Sequence, residues 1–394
     1  MRDRARTICG SGASSDADAV AATSAAAAEA KAQLGKKPVD LALVFASPRH
    51  ELRAVMAEAR RLLPRVDVVA CSTSGEITER GLTRGGIAVL LVGWGDAAHV
   101  VAARGAPHDD IPALAQALGG RFMEHTGERA KHAACLVIGD GLSPAFEKLV
   151  LELRKAPRHR HPIVGGGAGD DGAFVATTVG VNREVLPGGM ATVQVTSANA
   201  WGVGVAHGLT PASPRMTVTK ASGNVVTSID DRPALDVYRE YAKGLGLDFD
   251  ALDLPQFLVE NELGVLLFED VVRVRAPLRV LPDGALFTAG EVPEGSTVCL
   301  VRGTEDDIIS AARSAAEDAK DALGAVQPAG VLLFSCVCRG MVLGARYAEE
   351  IRAIQSVFPD VPIAGLSSYG EVARTKGRLD GYHNNTIVVV AIPE

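Results

Sequence analysis

The sequence has no apolar run long enough to cross a bilayer. Its longest, residues 87–93, falls far short of the ~20 residues that a spanning helix needs. A signal peptide is also missing. Arginines open the chain, but residues 11–31 are alanine-rich, carry Asp16, Asp18 and Glu29, and have no leucine-rich core. Nor is there a disulfide framework. The six cysteines (Cys9, Cys71, Cys135, Cys299, Cys336 and Cys338) are scattered, which fits a reduced, intracellular setting. Positive charge is in deficit: 40 lysines and arginines against 47 aspartates and glutamates give a net charge of −7, which argues against nucleic acid or an anionic membrane as a partner. The common catalytic signatures are absent as well. There is no G-x-S-x-G elbow, no Walker A loop and no H-E-x-x-H, since His50-Glu51 lacks the second histidine. These absences lead to the expectation of a cytoplasmic protein that is not an enzyme.

What is present is internal repetition. Residues 70–77 (Ala-Cys-Ser-Thr-Ser-Gly-Glu-Ile) return as residues 365–372 (Gly-Leu-Ser-Ser-Tyr-Gly-Glu-Val), and 370 − 75 = 371 − 76 = 295. A weaker copy, residues 162–171, aligns with 362–371 at an offset of 200. Each copy is a short apolar strand running into a loop of small residues that ends in a carboxylate. Such self-similarity precedes any other fold inference.

The length of 394 residues and a hydrophobic content of 47% allow two or three globular domains. Strand–helix–strand patterns recur before each loop, the signature of parallel neighbours. The expected class is α/β, with two mixed-sheet domains built from repeated strand–helix–strand–loop units. Residues 1–13 read as a loose tail, residues 14–225 as the first domain and 226–394 as the second. Residues 174–181 read as a strand.

Several landmarks together resemble the FIST sensory family: Leu43-Val44-Phe45-Ala46-Ser47, Cys71-Ser72-Thr73-Ser74-Gly75-Glu76-Ile77, residues 165–171, Leu333-Phe334-Ser335-Cys336, Ser368-Tyr369-Gly370-Glu371 and His383-Asn384-Asn385-Thr386. The resemblance covers about residues 14–394. It implies an N-type and a C-type FIST domain that act as a bacterial signal-input module for a small ligand. No output module fits beside them, so the signal would pass to a separate partner. A stand-alone FIST subgroup similar in length and layout implies a sharper expectation: b-type haem that senses nitric oxide, with a histidine kinase or a cyclic-di-GMP enzyme as partner.

Open α/β sheets bind ligands at strand C-terminal ends. That makes Ser72, Thr73, Glu76, Gly167, Asp170, Asp171, Ser367, Ser368, Tyr369 and Glu371 the ligand-site candidates, with Arg339 added by position. The competing account is structural: glycine permits the turn, and serine and threonine satisfy loop backbone groups. Gly167-Ala168-Gly169-Asp170-Asp171-Gly172 fits G-x-G-x-x-G, but the segment after it reads as a strand, so a dinucleotide site is rejected. For haem, His161 is the first axial candidate, with Arg158 or Arg160 for a propionate, and His207 is the second. His383 reads as structural. No C-x-x-C-H is present, so covalent haem attachment is excluded. Cys336 and Cys338 fall on one face of a strand by alternation, and packing is the favoured account of them. Two readings remain beside the haem sensor: a haem-free amino-acid or metabolite sensor, with Glu76, Asp171 and Glu371 for an ammonium and Arg339 for a carboxylate, and an unrecognised enzyme using those carboxylates.

Overall fold

The structure is a computed structural model that describes residues 6–105, 110–124, 127, 130–153, 155, 161–268, 271–374 and 381–394. Its frame is a parallel strand pair used three times. Leu41–Ala46 pairs with Asp67–Ser72, His132–Asp140 with Ile163–Ala168, and Pro328–Cys336 with Ile363–Ser368. Helices connect the members of each pair: Leu52–Leu62, Pro144–Leu153, and Val337–Leu343 followed by Tyr347–Val357. Each first strand also pairs antiparallel with a later strand of its unit (Ile87–Gly93, Met190–Ser197 or Ile387–Pro393). Both faces of these sheets are covered, which is why the strands read as continuous apolar runs rather than alternating ones. Leu43 and Phe45 face a core shared with Leu136, Ile138, Phe334 and Leu366, whereas Ala42, Val44 and Ala46 face helices on the outside.

The far edge of each sheet comes from another unit. The hairpin after the first loop (Glu76–Thr78 and Gly81–Thr83) pairs with Ile363–Ser368 of the third unit. The hairpin after the third loop (Glu371–Arg374 and Gly381–His383) pairs with Ile163–Ala168 of the second. The hairpin after the second loop (Thr178–Val181 and Glu184–Pro187) pairs with Asp67–Ser72 of the first. The exchange is cyclic.

The expected loose tail is corrected. Residues Ile8–Ser14 form an edge strand in register with Ile87–Gly93. Its small residues give little strand signal, yet they are what the packing requires: a Cβ at Gly10 would lie 2.1 Å from the Ala30 carbonyl of helix Ala19–Leu34. Gly202 and Gly204 play the same part against helix Glu305–Leu323. The expected strand at 174–181 is shortened to Thr178–Val181, and the residues before it form a loop.

A fourth, antiparallel sheet spans strands from Thr210–Pro211 to Thr297–Arg302 and packs on helices Ala234–Gly244 and Leu254–Glu260. Residue 225 opens one strand of its hairpin, Val225–Ile229, paired with Met216–Ser222, so no linker lies there. Among the described residues no helix is long and apolar enough to cross a membrane.

The closest backbone approach in the parallel sheets is at Gly165, whose φ is +151° and whose added Cβ would meet the Val137 carbonyl oxygen at 1.8 Å. Gly165→Ala is expected to destabilise the chain by about 1–3 kcal/mol or more, through strain and overpacking. Urea unfolding of the variant against the parent measures this, and an unchanged midpoint would refute the register described here.

Candidate functional site

The three repeated loops do converge, and they bind one another. Ser74 N–H donates to Ser367 O (3.1 Å) and Ser367 N–H to Gly75 O (2.8 Å). Gly169 N–H donates to Ser72 O (3.1 Å) and Asp171 N–H to Thr73 O (2.9 Å). Gly167 N–H donates to Gly370 O (2.8 Å) and Tyr369 N–H to Gly167 O (3.0 Å). Every loop is thus joined to both others by backbone hydrogen bonds.

The polar side chains expected to meet a ligand are mostly spent inside this hub. Ser72 Oγ accepts from Thr178 N–H. Thr73 Oγ1 donates to Glu76, whose other oxygen accepts from Gly86 N–H at 2.9 Å. Ser368 Oγ donates to Glu371 at 2.7 Å, and the second Glu371 oxygen accepts from Thr386 N–H and Oγ1. Both glutamates are fully buried pegs that tie a loop to the start of the neighbouring antiparallel strand. Asp171 is exposed and accepts from Ser47 Oγ at 2.6 Å. Ser367 is buried and takes part through its backbone. Arg339 is corrected as a ligand contact. Its guanidinium is fully buried and donates to Glu350 (2.7 Å) and to the carbonyls of His207 and Ile308 (2.9 Å each), so it clamps the third unit together.

The hub opens on one side into a cleft of about 370 Å3, within the usual size range of small-molecule sites. Residues 141–144 and Phe174 form one wall. Asn224, residues 276, 278, 279 and 287–289, and Cys336–Cys338 form the other, with Tyr369, Gly370 and Asn384 between them. Phe174 stacks on Tyr369 (centroids 4.6 Å, planes 10° apart). Asp170 fixes this pair: it accepts from Tyr369 Oη at 2.5 Å and from the N–H groups of Phe174, Val175 and Ala176. Burial alone would raise the Asp170 carboxyl, but these donors outweigh it and hold the group below its ordinary range.

Of the sequence-derived candidates, Tyr369 lines the cleft and Asp170 positions the aromatic pair; the cleft-lining Phe174, Asn224, Arg279 and Phe287 were missed. Phe174 had been assigned to a strand, and no spacing marks the others. Cys336 and Cys338 both line the cleft, but not by strand alternation, because the strand ends at Cys336 and a helix begins at Val337.

Neither haem candidate is among the residues lining the cleft. His161 is buried beside Phe122 at the N-terminal end of strand Ile163–Ala168, about 20 Å of extended chain from the hub. His207 Nδ1 accepts from Leu209 N–H at 2.9 Å, and burial, with Arg339 beside it, pushes its pKa down to about 4. Arg158 and Arg160 lie outside the described residues. Among the described residues no histidine lines the cleft, so those present offer a haem iron no axial imidazole there.

The chain is built of interlocked α/β units with a cleft beside their shared hub. Residues 40–232 match the FIST N domain and residues 234–374 the FIST C domain, so the chain belongs to the FIST family, a family of small-ligand sensing and signalling domains. The uncharacterized proteins Rv0628c and MT0656 of Mycobacterium tuberculosis (strains H37Rv and CDC 1551) are each 26% identical over 274 residues, covering 66% of this chain and 68% of their own.

Glu76 carries a measurable consequence of this burial. Desolvation raises its pKa from 4.5 to about 7, against the pull of hydrogen bonds from Thr73 and Gly86. The native state therefore holds a proton that the unfolded chain releases. The stability from this group is complete below pH 4.5 and is lost as pH rises to about 7, a change of ~3 kcal/mol. Glu76→Gln should flatten that window in urea unfolding at stepped pH, whereas parallel profiles for variant and parent would show the carboxyl to be unshifted.

Proposed function

We propose that this chain is a haem-free sensor whose ligand is a small organic carboxylate with an aromatic or branched apolar body, bound in the cleft beside the hub. The observation that supports this most is the makeup of the cleft. Its walls are largely apolar, with Phe174, Tyr369 and Phe287 as ring surfaces, and Arg279, over the Phe287 ring at 4.7 Å, is the one charged residue lining it among the described residues. A guanidinium at the mouth of an apolar cleft favours a carboxylate with a hydrophobic body. The carboxylates expected to hold an ammonium (Glu76, Asp171 and Glu371) are not among the described residues lining the cleft. Ligand contacts with Tyr369 and Gly370 reach the hub directly. A ligand that prefers one arrangement of the loops shifts their equilibrium by that preference. A separate partner protein reads the result, and no catalytic step is assigned to the cleft.

Thermal-shift and calorimetric screening of aromatic and branched carboxylic acids tests the reading. A true ligand at a hundred times its Kd should stabilise the chain by ~2.7 kcal/mol. Arg279→Ala should weaken carboxylates about tenfold and leave their amide analogues unchanged, and Ala289→Trp, which fills the cleft, should abolish binding. A stoichiometric Soret band in protein purified with ample haem would overturn the haem-free reading.

A further inference from the structure

The cleft wall carries two thiols that ligand recognition as described does not use. We propose that Cys336 and Cys338 form a reactive dithiol whose substrate is a small organic disulfide entering through the cleft. This rests on the cleft being an accessible site and adds a chemical reaction to it.

The placement comes from the chain path. Strand Pro328–Cys336 ends at the hub, and helix Val337–Leu343 starts in the next residue. Both thiols consequently line the same cleft although they are separated by a single residue. Two positions apart at a helix start, their Cα atoms are about 5.5 Å apart, inside the range a disulfide spans.

The surroundings of the two sulfurs differ from those of the other cysteines. All of them sit in apolar clusters, Cys336 and Cys338 included, yet for Cys9, Cys71 and Cys135 burial dominates and pushes the thiols far up. Burial acts on Cys336 in the same direction. However, the Cys338 thiol, the N–H groups of Cys338 and Asn385, and Glu371 outweigh it and hold the Cys336 thiol below its ordinary range. Burial pushes the Glu371 carboxyl well above its ordinary range, against the pull of the hydrogen bonds it accepts from Ser368 and Thr386. Cys338, facing that sulfur, is held up and stays a thiol. One nucleophile and one proton-bearing partner therefore face a common space.

Unsatisfied polar atoms at the same wall point to an occupant. Asn384 lines the cleft, is 1% exposed, and its Oδ1 has no hydrogen-bond partner. Fully buried Glu262, which is not among the cleft-lining residues, has no partner of normal geometry for either oxygen and interacts with Cys338 and Asn385. Buried polar groups are nearly always paired, and a donor on an entering molecule satisfies Asn384 without rearrangement.

The reaction balances without any further reagent. The Cys336 thiolate attacks one sulfur of the disulfide R–S–S–R′, forming a Cys336 mixed disulfide and releasing R′–S⁻. That thiolate takes the proton of Cys338. The Cys338 thiolate then attacks Cys336 Sγ, the internal disulfide forms, and R–S⁻ leaves and is protonated from solvent. The protein loses two electrons and the substrate gains them.

The test treats the native full-length chain with 2,2′-dithiodipyridine. The expected result is release of about two equivalents of pyridine-2-thione, a mass lower by about 2 Da and no retained thiopyridyl group. Cys338→Ser should release about one equivalent and keep a stable adduct on Cys336, and Cys336→Ser should react at least about 100-fold more slowly. No thione from the native chain, thione arising from the other four cysteines, or a Cys338→Ser variant that behaves like the parent would each overturn the proposal. Should Cys336→Ser fail to fold, Cys338→Ser and Ala289→Trp still decide it: the filled cleft must stop thione release, and release at the parent rate overturns the placement. Carboxylate binding without thione release sinks the dithiol alone, whereas thione release without carboxylate binding sinks only the ligand class proposed above.

Discussion

The structure depends on a hydrogen-bond exchange among three loops. Loops usually stay at the surface because burying one strands its backbone donors and acceptors. Here three loops are buried together, and each supplies the partners the others need. The composition of the repeats follows from that. A Cβ at Gly169 would lie 2.5 Å from Ser74 Oγ, so the loop backbones can approach only where side chains are absent or very small. The glutamates then act as pegs: each fixes its own loop through a hydroxyl three residues back and the next strand through a backbone N–H.

The lent hairpins are the second half of this constraint. Since each unit completes the sheet of another, no unit closes its own edge, and the first and third are joined although nearly the whole chain separates them. The N- and C-type family matches divide the chain near residue 233, but the sheets do not respect that division. Contacts made at the cleft therefore fall on a hub shared by all three units.

Much of this was legible in the sequence. The constant offsets of 295 and 200 located the three units, and continuous apolar runs such as Leu41–Phe45 marked doubly covered strands. The edge strand Ile8–Ser14 was not legible, because Gly10, Ser11 and Gly12 are small for the sake of a helix packed on them rather than for a turn. The loops misled for a related reason. Serine, glycine and glutamate are what a ligand loop needs and also what mutually bonded loops need, and composition does not separate the two. Arg339 misled because a lone arginine near a glycine gives no sign of Glu350, His207 and Ile308, which arrive from distant parts of the chain.

The cleft arises where the repeat is broken. The first and third loops pass straight into their hairpins, whereas the middle one is extended up to Thr178 and carries Phe174 out over Tyr369. Phe174 sits at φ +55°, a region that costs a bulky residue of order 1 kcal/mol or more. Three backbone N–H groups on one carboxylate of Asp170 hold it there, and the same carboxylate takes the Tyr369 hydroxyl. Neither aspect belongs to the shared template, since the positions corresponding to Asp170 are Gly75 and Gly370. A repeat used three times yields a closed hub. The substitution of a carboxylate for one hub glycine, with the strained aromatic it restrains, supplies the stacked ring pair that lines the cleft.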